Sequence, residues 1–198
     1  TAEELGYRLD EKISKIRFVI FRRNGLIIDD SPFHPAVIEG VERQAKSLGY
    51  ETVFNHVDIN DMEYGTQLQE ILSDTESAIV LLGTEMLEED FEPYTHAKNK
   101  IILLDGWSDH YFFDSVLISN TDSAARAVEY LIGKGHRDIG YLRGDFRIQA
   151  FCYREIGYRR IMDRHHLPVQ PEFVATVGTR IETAYEGMRR YLEETPIL

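Results

Sequence analysis

Short apolar runs alternating with longer amphipathic ones are the feature that most restricts how this chain can fold. IRFVIF at 16–21, ETVFNHV at 51–57, SAIVLLG at 77–83 and KIILLDG at 100–106 have strand length and are largely apolar on both faces. Such strands have to be covered from two sides. Between the first two, Val37, Val41, Ala45 and Leu48 recur every three to four residues. That helix is expected to start near Pro35, a residue favoured in a first turn, and to close at Gly49. The plan repeats with a helix around MEYGTQLQEIL and a short one within the acidic 85–98 stretch. Amphipathic helices joining doubly apolar strands predict an α/β fold, with mainly parallel sheets flanked by helices.

The rhythm breaks at WSDHYFF (107–113), an aromatic-rich loop, and resumes after a short strand, DSVLIS. A second series predicts helix 122–132, strand 137–142, helix 153–165, strand 172–177 and helix 182–193. Two successive α/β series imply two lobes with a seam near Ser119, and no low-complexity linker separates them. LEETPIL ends the chain where a further strand is expected, so the second lobe reads as incomplete.

Several functions are excluded on chemistry. GKGHRDIGYLRG (133–144) has the glycines of a phosphate loop but the wrong order of elements. A phosphate loop runs from strand into helix, whose free N–H groups face the anion. Here helix-spaced Ala124, Ala127, Val128 and Leu131 come first and the strand-like IGYL follows, so Gly133 or Gly135 is expected to end a helix in the left-handed conformation. A formal charge of −12 argues against this segment gripping a phosphate backbone. The seven histidines are scattered, with His165 and His166 adjacent, so neither metal nor cofactor is expected. A lone Cys152, apolar runs too short to span a bilayer and no signal-like N-terminus agree with a cytoplasmic location. Glu85, Glu88, Glu89, Asp90 and Glu92 are read as a solvated helix face.

With that layout, NTDSAARAVEYLIGKGHRDIGYLRG (120–144), Arg154-Glu-Ile-Gly157-Tyr158, LPVQPEFV and TAYEGMRRYLEETP resemble the effector-binding core of LacI/GalR-family transcriptional regulators. The agreement is dense over 119–198 and looser over 13–118, where SPFHPAVIEGVERQAKSLGYE resembles the family's first loop and helix. TAEELGYR at 1–8 resembles the end of the family's helix-turn-helix headpiece, and LDEKISK is shorter than the usual hinge segment. The resemblance implies a two-lobed, periplasmic-binding-protein-like fold. It assigns 1–12 to a headpiece remnant and linker, 13–118 to the N-terminal lobe and 119–198 to a truncated C-terminal lobe.

The same resemblance, with the rule that open parallel sheets bind ligands beyond their carboxyl ends, selects the site residues. Asp105, at the end of KIILLD, is expected to accept hydrogen bonds from effector hydroxyls, and Arg154 to grip the effector from the second lobe. Phe33 and His34 fall where the family meets its ligand, although Phe33 also suits a helix staple. Trp107 is a stacking candidate or a core or rim residue, and Ala150 falls where some members place a small polar contact. No residue is assigned a catalytic role. The function implied is a sugar-responsive regulator: a homodimer whose effector, a sugar or sugar derivative, sets the operator affinity of an upstream headpiece. A transport receptor of the same fold is the alternative. A nucleotide-dependent enzyme is less favoured, because FRRNGLIIDDSPF offers only Gly25 where a glycine loop is needed.

Overall fold

The computed structural model describes residues 13–29 and 33–195, so the headpiece remnant and linker expected over 1–12 lie outside the described residues. The chain divides into two compact units, Thr1–Leu117 and Ile118–Leu198.

The first unit runs β1 (Lys15–Arg22), α1 (Phe33–Ser47), β2 (Glu51–Asp58), α2 (Tyr64–Ser73) and β3 (Ser77–Leu82). A 3-10 turn (Glu88–Phe91) and the one-turn α3 (Glu92–Thr95) follow, then β4 (Ile101–Leu104) and β5 (Asp114–Val116). All five strands are parallel, in the order β2-β1-β3-β4-β5. Alternate residues of β1 serve opposite faces. Phe18 and Ile20 pack with Leu82 and with Ile38 and Val41 of α1. Val19 and Phe21 join Leu68 and Ile71 of α2, together with Met86, Phe91 and Tyr94. Each fully buried side chain of this size contributes about 1.5–3 kcal/mol, which is why both faces of so apolar a strand are covered. After β1 the chain crosses to one side and then returns to the other, so the loops leaving the carboxyl ends of β1 and β3 diverge. Open sheets bind ligands at such a point.

The second unit runs α4 (Asn120–Gly133), β6 (Tyr141–Gly144), α5 (Gln149–Arg164), a 3-10 turn (Pro171–Phe173), β7 (Val174–Val177) and α6 (Ile181–Glu194). Strands β6 and β7 pair in parallel, Tyr141 opposite Val174. Ala125, Val128 and Ile132 of α4 meet Tyr158, Ile161 and Met162 of α5 around Ile139. The strand expected at 137–142 begins only at Tyr141. Ile139, which made the stretch look strand-like, instead fills the helix core and gives its carbonyl to the Tyr158 hydroxyl at 2.8 Å. Of the two glycines considered as the end of α4, Gly135 takes the left-handed conformation (φ +97), and Gly133 is the last helical residue.

Candidate functional site

In the first unit the site is built on the loops after β1 and β3. Glu85, fully buried, accepts five backbone N–H groups. Oε2 takes those of Arg23 (2.9 Å), Asn24 (3.1 Å) and Gly25 (3.0 Å), and Oε1 takes Ile27 (2.9 Å) and Ile28 (3.3 Å). Burial works to raise its carboxyl pKa, but the N–H donors outweigh it and hold the group below the usual glutamate value. Gly25, at φ +71, bends the backbone so that consecutive N–H groups converge on one carboxylate. Asp90 is buried too, bonding Arg23 Nη2 at 2.5 Å and the Leu87 N–H at 2.7 Å. Glu88 takes hydrogen bonds from Ser108 and from the backbone of Asp109 and His110. The acidic run is therefore not a solvated helix face. It is split between a turn, a 3-10 turn and α3, so three of its carboxylates anchor loops while Glu89 and Glu92 stay exposed.

Next to Glu85, the Thr84 hydroxyl donates to Asp105 Oδ2 at 2.9 Å, and His34 Nε2 lies 3.2 Å from the same Thr84 oxygen. Thr84 has spent its one hydrogen on Asp105, so Nε2 is assigned as the protonated imidazole nitrogen. Burial holds the His34 imidazole below the ordinary histidine value, against the opposing pull of the Asp105 and Glu85 charges. Asp105 itself sits at φ +52, a left-handed conformation that aspartate tolerates better than most residues. The next residue, Gly106, lies against Gly83: a Cβ there would fall 2.9 Å from the Gly83 Cα. The ends of β3 and β4 thus abut, which brings Thr84 to Asp105.

His34 is only 3% exposed, so it backs Asp105 through Thr84 from inside the protein. Phe33, more open, sets its ring edge-on to the His34 ring at 5.4 Å. Trp107 is half-buried, two residues beyond Asp105.

In the second unit Arg154 Nε donates to Asn120 Oδ1 at 2.8 Å, and its guanidinium lies over the Phe151 ring, 5.6 Å from the centroid. Its Nη groups make no hydrogen bond to the described residues. Arg154 lines a cavity of about 380 Å³ with Arg143, Gly144, Phe151, Gly178 and Thr179. Ala150, 5% exposed, is packed inward. Cys152 is a free, half-buried thiol with Arg147 Nη2 at 3.5 Å.

Thr84, Glu85, Asn120, Phe151 and Arg143 were not legible as site residues in the sequence. The i, i+3 spacing of Phe151 and Arg154 on a helix is the one signal that was there to be used.

Residues 20–198 match the family described as periplasmic binding proteins and sugar binding domain of LacI family. The HTH-type transcriptional regulator RegA of Clostridium saccharobutylicum is 22% identical over 197 residues, covering 96% of this chain and 58% of RegA. Catabolite control protein A of Priestia megaterium is 23% identical over 197 residues, covering 98% of this chain and 59% of that protein. The chain thus spans about three-fifths of the length of these relatives. A solved complex of the transcriptional regulator CelR with cellobiose superposes with a TM-score of 0.77 at 19% identity, covering 98% of this chain and 59% of that one, a likeness in fold. Parallel sheets, anchored loops at their carboxyl ends and a family match over nearly the whole length lead to one conclusion: the chain belongs to the family of periplasmic binding proteins and LacI-type sugar-binding domains.

Proposed function

We propose that this chain is the effector-binding core of a sugar-responsive transcriptional regulator of LacI/GalR type. It works as a cytoplasmic homodimer whose effector controls operator binding by an upstream helix-turn-helix. The relatives named above support a regulator over a transport receptor of the same fold. The observation that carries this reading is the state of one polar anchor in each unit. Asp105 has one carboxylate oxygen held by Thr84, and Arg154 has its Nε held by Asn120 while neither Nη group is bonded among the described residues. Each is fixed at one edge and available at the other, the condition for directed hydrogen bonds to sugar hydroxyls at low entropic cost. Phe33 and Trp107 supply aromatic faces for the apolar side of a sugar ring. His34 and Ala150 are buried supports, the first in the N-terminal unit and the second in the C-terminal one. An effector that fits one conformation of the dimer better shifts the population and so the spacing of the two headpieces on a palindromic operator.

The test uses the complete protein, with an effector found by thermal-shift screening of sugars. Asp105→Ala and Arg154→Ala are each expected to weaken calorimetric effector binding by about one to three powers of ten, at roughly 1.4 kcal/mol per tenfold. Operator binding should persist but stop responding to effector. Unchanged effector affinity in both variants removes the assignment.

A further inference from the structure

The loops leaving the carboxyl ends of β3 and β4 and the first turn of α1 are tied together by one chain of hydrogen bonds inside the first unit. Thr84 stands at its centre, only 6% exposed. Its hydroxyl carries a single hydrogen, which goes to Asp105 Oδ2 at 2.9 Å, and its oxygen lies 3.2 Å from His34 Nε2. An ionised carboxylate can only accept, so the order of donation is set from the Asp105 end: Thr84 donates to Asp105, and His34 donates to Thr84. Burial favours the neutral imidazole, which carries one ring proton, and this chain places that proton on Nε2. Backbone contacts fix the framework around it. The Asp105 N–H is bonded to the Val116 carbonyl at 3.0 Å, and Gly83, next to Thr84, bonds the Leu104 carbonyl at 3.0 Å. A carboxylate on a short side chain turns about two bonds, and a buried hydroxyl proton at one of its oxygens selects one orientation.

We infer that Thr84 is a positioning residue for effector binding and that His34 acts through it: the imidazole Nε2–H orients the Thr84 hydroxyl, whose proton sets the Asp105 carboxylate in the orientation that meets the effector. The inference rests on the reading of Asp105 as an effector contact and adds the two residues that aim it. A freely turning carboxylate gives up its rotational freedom at each binding event. A braced one has already given it up in the folded protein, so the brace contributes affinity without touching the effector.

Two measurements on the complete protein test it, and the first needs no sugar. With 15N-labelled histidine in mildly alkaline buffer, the His34 ring, assigned by its loss in His34→Gln, is expected to show the correlation pattern of the Nε2–H tautomer. Thr84→Val should remove that preference. An Nδ1–H ring in the unaltered protein overturns the relay, whatever sugar binds. The second is calorimetric titration with the member of a panel of neutral mono- and disaccharides that gives the largest thermal shift. Valine copies the shape of threonine without its hydroxyl, whereas serine keeps the hydroxyl and loses a methyl. Thr84→Val is expected to weaken binding at least about tenfold, and Thr84→Ser to stay within about threefold of the unaltered protein. His34→Gln, whose amide can donate from near the Nε2 position, should retain more affinity than His34→Leu. Circular dichroism of each variant establishes that it is folded. The opposite order, with serine weaker than valine, identifies packing of the methyl as the role of Thr84 and overturns the inference. Unchanged affinity in Thr84→Val beside a loss in Asp105→Ala overturns the positioning role alone. Unchanged affinity in both removes the effector contact on which it rests.

Discussion

At Glu85 one carboxylate holds the loop that follows β1, and the expected consequences are measurable. Glutamine in its place keeps one oxygen but turns an NH2 toward N–H groups that need an acceptor. Hydrogen bonds to a charged group contribute about 1.5–3 kcal/mol each, so Glu85→Gln should destabilise the first unit by about 3 kcal/mol or more. Trp107, the single tryptophan, reports urea unfolding of that unit by fluorescence. The pH dependence at the site follows from two buried, depressed groups. His34 titrates below its ordinary 6.5, so between its folded value and 6.5 the unfolded chain binds more protons, and stability falls as pH drops through that window. Glu85 is also depressed, so its contribution is fully present above its ordinary 4.5 and is lost as pH falls through its lower folded value. The first unit should therefore weaken in two stages on acidification, and Glu85→Gln should diminish the lower one, to which the depressed carboxylates of Asp58, Asp74 and Glu88 also contribute, while leaving the upper one in place. A pH-independent unfolding midpoint from neutrality down to the acid range would contradict both assignments.

Among the elements, α5 shows how packing sets the geometry of Arg154, the proposed effector contact. Gly157 lies where α5 crosses α4 so closely that a Cβ would fall 2.2 Å from the Thr121 carbonyl oxygen. One residue on, Tyr158 stacks on Tyr141 with centroids 5.1 Å apart and bonds the Ile139 carbonyl. Together these contacts fix the depth and rotation of α5, and so bring Arg154 to Asn120, the first residue of α4. Alanine at 157 would gain about 1 kcal/mol of helix propensity. Pushing a backbone carbonyl aside costs more than that, because backbone cannot rotate away as a side chain can. A net loss of about 2 kcal/mol is expected for Gly157→Ala, read as a lower thermal midpoint by circular dichroism, with weaker effector binding alongside. An unchanged midpoint would mean that α4 and α5 can separate freely.

For the molecule as a whole, charge makes the sharpest expectation. DNA affinity scales with the phosphates a protein neutralises, and residues 1–198 carry a formal charge of −12. This segment alone should show no salt-sensitive affinity for an operator duplex in fluorescence anisotropy. A steep loss of binding between low and moderate salt would reveal a phosphate-contacting surface within it.

What the sequence determined by itself is what depends on neighbours a few residues away. The three- to four-residue spacing of Val37, Val41, Ala45 and Leu48, the doubly apolar SAIVLLG and the helix-ending glycine after α4 implied parallel sheets covered by helices, and Asp105 was legible as the end of a strand. Tertiary structure alone decided the strand order β2-β1-β3-β4-β5 and the partners of the polar groups. The N–H donors of Glu85 lie 57 to 62 residues away, and Thr84 meets His34 and Asp105 across 50 and 21 residues. An acidic run looks the same in a sequence whether its carboxylates face water or a ring of backbone N–H groups. Side-chain periodicity is a local property of one element. The partner of a buried charge is chosen by which loops the crossovers of the sheet bring to the same end.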